Sequence, residues 1–83
     1  MYVWEIRPGR GGWRLSPQGE TEGLIFETLA GAENRARWLA MRQEVRGHPA
    51  EIRILDLDAR LVGVWRGERY VPSPLSTALA KVA

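Results

Sequence analysis

The sequence predicts an α+β fold: two β-hairpins flanking one long helix, an antiparallel sheet with one face covered by that helix, and a short C-terminal helix or arm. Three observations predict it. Residues 2–7 alternate apolar and polar in period two. Residues 29–46 run without proline and are rich in helix formers. Residues 51–65 hold two β-prone runs around an Asp-rich turn.

In order along the chain, Tyr2, Trp4 and Ile6 share one face of the first strand, and Val3, Glu5 and Arg7 the other. Pro8-Gly9-Arg10-Gly11-Gly12 punctuates as a hairpin loop. Trp13-Arg14-Leu15 continues the alternation, and Ser16-Pro17-Gln18-Gly19 closes that strand with turn residues. Gly23-Leu24-Ile25-Phe26 reads as a brief third strand. Thr28 is the expected N-cap and Gly47-His48-Pro49 the stop of the helix.

At 100° per residue that helix carries two apolar stripes. Leu29, Ala32, Ala36, Leu39 and Ala40 form a small-residue stripe suited to lying close on a sheet. Trp38, Met41 and Val45 lie on nearly the opposite side and need a cover of their own. Glu51–Leu55 and Arg60–Trp65 form the closing hairpin around Asp56-Leu57-Asp58-Ala59. The second of these strands is apolar on both faces, which points to a covered position rather than a free edge. Residues 1–67 are thus expected to form a compact ββαββ domain, with 68–83 an extension packing on it or on a partner chain. In that extension Ser73 and Pro74 suit the start of a short helix over 75–82. Tyr70, Val71, Leu75 and Leu79 are its apolar candidates for covering the Trp38 stripe, within the chain or across a two-fold to a second copy.

Several of these residues carry a family likeness. Trp4 and Pro8 lead to Gly11-Gly12-Trp13. Phe26 and Thr28 precede a helix with Ala32-Glu33, Ala36-Arg37 and Leu39-Ala40, and Ala50-Glu51-Ile52 opens a closing hairpin. Over about residues 2–65 this resembles a family of small bacterial proteins filed as domain of unknown function 2188. The family usually has an Asp-Gly turn in its closing hairpin, where this chain has Asp58-Ala59. The resemblance implies a compact α+β unit and brings no activity or catalytic residue with it.

Composition narrows the function. In 83 residues, 45% are hydrophobic and 27% charged, ordinary for a globular chain of one modest core. With no cysteine there is no disulfide, thiolate metal site or cysteine nucleophile. His48 is the only histidine, so no triad or zinc template assembles around it, and its expected role is to cap the helix end. Gly9-Arg10-Gly11-Gly12 matches neither phosphate-loop pattern. Asp56 and Asp58 begin like a calcium loop, but Leu61 and Gly67 stand where it needs glycine and a bidentate carboxylate. No catalytic constellation, cofactor or metal is expected.

Met1–Arg7 has no basic leader and no apolar run is long enough to span a bilayer, so the expectation is a cytoplasmic protein without membrane contact. The net charge of +2 is small. The expected function is a non-catalytic protein-interaction or self-associating module, a homodimer being the simplest assembly. The alternative is a nucleic-acid-binding domain using Arg35, Arg42 and Arg46 on the helix and Arg7, Arg14 and Arg53 on the sheet.

Overall fold

A computed structural model describes residues 1–73. It holds β1 (Tyr2–Gly9), β2 (Gly12–Pro17), β3 (Leu24–Phe26), α1 (Leu29–Val45), β4 (Ala50–Leu55), β5 (Leu61–Arg66) and β6 (Arg69–Pro72). The strands form one six-stranded sheet in the order β3-β2-β1-β4-β5-β6. One helix packs on that sheet, so the class is α+β.

The sheet is mixed, which corrects the antiparallel expectation. β1 pairs antiparallel with β2 and parallel with β4, with Trp4 opposite Ile52 and Ile6 opposite Ile54. The cause is the connection. A tight turn reverses a chain, whereas a helix carries it back along the sheet. With 17 residues α1 is about 25 Å long, enough to return the chain to the end where β1 begins. β4 must then run in the direction of β1. The two hairpins lie side by side, with β3 and β6 added at the sheet's edges. The second hairpin joins the first by a parallel seam at the centre.

The assignment of 68–83 to an extension also changes at its start. Arg69–Pro72 is a strand of the same sheet, paired with β5 through Trp65 opposite Tyr70 and Gly63 opposite Pro72. β5 is thereby interior, as its two apolar faces implied. The expected helix over 75–82, with Leu75 and Leu79, lies outside the described residues.

The helix begins where its cap places it. The Thr28 hydroxyl accepts from the Gly31 N–H at 3.0 Å, which offsets an otherwise unpaired donor for about 1 kcal/mol. It ends with Gly47 at φ 86° and with backbone N–H groups of Arg46, Gly47 and His48 on the carbonyls of Gln43 and Glu44. The capping expected of His48 is made by its main chain. Its ring rests edge-on against Tyr2.

Ala32, Ala36 and Ala40 are buried against Ile6, Leu15, Ile52 and Ile54. Trp4, Trp13, Phe26, Leu29 and Leu39 close the margins of that core. A fully buried isoleucine such as Ile6 contributes about 1.5–3 kcal/mol through removal of its apolar surface from water.

In the β4–β5 turn the Asp56 carboxylate accepts from the N–H groups of Asp58 and Arg60, both at 2.9 Å. This forces Ala59 to φ 61°, the left-handed region that a Cβ disfavours. Ala59→Gly is expected to stabilise the domain by about 0.5–1 kcal/mol, raising Tm by roughly 4 °C. Thermal unfolding followed by circular dichroism checks it, and an unchanged or lower Tm counts against strain at this turn.

Candidate interaction surface on the helix

Because the alanine stripe faces the sheet, the residues on the far side of α1 must face outward. Trp38 is 42% exposed, Met41 50% and Val45 82%. The expected second stripe thus exists and is uncovered among the described residues. Trp38 sits between two guanidinium groups, Arg35 at 4.7 Å and Arg42 at 4.9 Å from its ring centroid. These are its neighbours at three and four residues along the helix, so helical geometry alone places them there. Each contact holds the indole in one orientation through cation–π attraction.

Beside the stripe lies an open groove of about 460 Å³. Asn34, Trp38, Met41 and Val45 form one wall, and Gly67 and Glu68 of the β5–β6 turn close its far end. α1 packs over β1 to β4, so the helix side of β5 and β6 is dressed by aromatic side chains instead. Trp65 donates its indole Nε1–H to Glu33 at 2.7 Å and carries the Arg37 guanidinium at 4.3 Å. Tyr70 leans on Trp65 with centroids 5.4 Å apart and lies across Gly63, where any Cβ would collide with its ring. Burial and the nearby Glu33 charge push the Tyr70 hydroxyl above its ordinary pKa. Tyr70 therefore packs on Trp65 and Gly63 and is not among the residues that line the groove. The sequence reading singled out Trp38, Met41, Val45 and Tyr70 but missed Glu33, Arg37 and Trp65. Their only signal was spacing: Glu33 and Arg37 are one helical turn apart.

The opposite sheet face carries the other expected residues. Arg7 and Arg14 are register neighbours there, and Glu5 stands opposite Arg53. Each arginine has an internal partner. Arg7 meets Glu5 at 3.0 Å, Arg53 meets Glu51 at 2.7 Å, and Arg14 donates to the Thr21 carbonyl at 2.8 Å. Glu51 also takes Arg66 at 2.8 Å and is only 4% exposed. The two arginine stems roof it over on an otherwise open face. Burial raises the pKa of the Glu51 carboxyl, but hydrogen bonds from Arg66 and Arg53, with their charges, outweigh this and hold it below the usual range. Arg46, the last of the expected arginines, is exposed at the helix C-cap.

Among the described residues no group of three His, Asp or Glu side chains is gathered as a metal site, and no helix is long and apolar enough to cross a membrane. Comparison with protein-family models, with curated proteins and with solved structures gives no match to this chain.

The ion pair at Glu51 makes stability depend on pH. Its folded pKa lies below the unfolded one, so the contribution is complete above the unfolded value and is lost as pH falls through the folded value. Urea unfolding should show stability falling from about pH 5 toward pH 2. Glu51→Gln should cost about 1 kcal/mol at neutral pH, since the arginine ends are partly solvated, and should flatten that acid slope. A variant with the parent's slope would place the acid sensitivity elsewhere.

Proposed function

We propose that this domain is a non-catalytic protein-interaction module, and that its contact surface is the outer face of α1 with the adjoining groove. The observation that carries the reading is the exposed run Trp38, Met41 and Val45 along one helix edge, next to a concave space. Large apolar side chains contiguous in water mark interaction sites. A groove beside a helix suits an amphipathic segment presenting apolar residues at one-turn spacing. The aromatic residue of its wall, Trp38, is flanked by Arg35 and Arg42, which lowers the ordering cost when a segment enters.

The titratable groups support the non-catalytic part. Glu51 is kept ionised by two arginines, and His48 is turned onto an aromatic ring rather than toward a carboxylate or a hydroxyl.

Self-association is the form of this function that one chain can display alone. Sedimentation of the parent should show a mass that climbs above the monomer with concentration. Met41→Glu should remain monomeric throughout while keeping the parent's circular dichroism. A parent that stays monomeric at every concentration removes self-association from the reading.

One observation favours the nucleic-acid alternative. Trp38 flanked by Arg35 and Arg42 is an exposed aromatic within a cationic frame, the kind of surface on which bases stack. The sheet arginines add little, because each is engaged within the chain. If Arg35, Arg42 and Arg46 bind phosphates, replacing all three by glutamine should flatten the salt dependence of single-stranded DNA binding by about two to three units. Absence of binding by the parent at low salt disposes of this alternative.

A further inference from the structure

We infer that the outer face of α1 takes an amphipathic helix of a partner protein, one whose apolar seam is flanked by carboxylates. This rests on the groove being an interaction site and names the chemistry of its partner.

The spacing of the exposed residues is the first argument. Asn34, Trp38, Met41 and Val45 all line the groove and follow one another at steps of four, three and four residues. That is the spacing of a seam on which a second helix packs. From Asn34 to Val45 the helix rises about 17 Å, so a partner helix of about three turns spans the seam.

The charges beside the seam are the second argument. At 100° per residue, Arg35, Arg42 and Arg46 fall within one narrow arc along one flank. All three are exposed. Among the described residues none of the three meets a carboxylate, whereas Arg7, Arg53 and Arg66 on the sheet each do. The groove-side flank is mixed in sign, since Arg37 stands there with Glu44 and Glu68. The arginine flank alone carries one sign, and it is carboxylates that complement it. Arg35 and Arg42 are about 10 Å apart along the axis, so two carboxylates seven residues apart on the partner helix match them.

The other occupants use this surface less fully. A two-fold contact between antiparallel α1 helices sets the arginine flank of one copy against that of the other. Self-association through this face is therefore the weaker contact. A nucleic-acid base stacking on Trp38 has to displace the guanidinium groups of Arg35 and Arg42 from its ring, and it leaves Met41 and Val45 unused. An acidic amphipathic helix covers the apolar seam and meets the arginines together.

The test uses the full chain and two labelled synthetic peptides of about 14 residues, with leucines at the seam spacing. One carries glutamate along a flank, the other glutamine at the same positions. In fluorescence anisotropy at low salt the parent should bind the glutamate peptide about tenfold more tightly, as two or three exposed ion pairs allow. High salt should close that gap. Arg35→Gln, Arg42→Gln and Arg46→Gln together should also close it, leaving the affinity for the glutamine peptide unchanged. Met41→Glu should weaken both peptides, and all variants should keep the parent's circular dichroism. Equal binding of the two peptides, or a preference that survives the triple substitution, overturns the acidic partner. The groove reading then still stands if Met41→Glu weakens both. Binding of neither peptide overturns the proposal. A parent mass that is also indifferent to concentration and to Met41→Glu removes the function reading with it. Binding of an oligothymidylate but of neither peptide, lost in the triple variant and kept in Met41→Glu, overturns the proposal in favour of nucleic acid.

Discussion

The contact between the alanine stripe of α1 and the isoleucines of β1 and β4 is the constraint on which the rest of this structure depends. Ala32, Ala36 and Ala40 have no side chain beyond Cβ, so the helix sits close on Ile6, Ile52 and Ile54 without gaps. That choice of inward face is also a choice of outward face. A helix pinned by its small residues must present its large ones to the solvent side. Trp38, Met41 and Val45 are exposed for this reason, not because the local sequence is loop-like or frayed.

The same contact shapes the sheet. α1 is narrow and the sheet has six strands, so among the described residues β5 and β6 are without a helical cover. The chain answers with Trp65 and Tyr70, one tied to α1 through Glu33 and Arg37, the other laid over Gly63. The groove is the space between these two solutions. It is bounded by the outer edge of α1 and by the turn of a hairpin that α1 touches only through side chains.

On the other face of the sheet no element packs among the described residues, yet Glu51, Leu55 and Val64 are buried. The stems of Arg53 on β4 and Arg66 on β5 lie on this face and place their charged ends at the surface. This is a solvated face built from ion pairs along β1 and β4 and between β4 and β5, and it explains why arginines that count as basic in the sequence are occupied in the fold.

Much of this was legible along the chain. Period-two alternation gave β1 and β2 with their inward residues. Thr28 and Gly47 bounded α1, and the two stripes of the helix separated by angle alone. Such features are local, since they follow from the geometry of a strand or of a helical turn. The β1–β4 seam, the burial of Glu51 and the Trp65–Glu33 bond were not legible. Each joins residues far apart in sequence. β6 was hidden differently: four residues ending in proline carry too little alternation to declare a strand, and only the presence of β5 beside them supplies the hydrogen-bond partners. Local residue chemistry fixes which segments prefer helix, strand and turn, and which side of each is apolar. Tertiary structure decided the direction of the central pairing and which charges meet, because those depend on where α1 returns the chain.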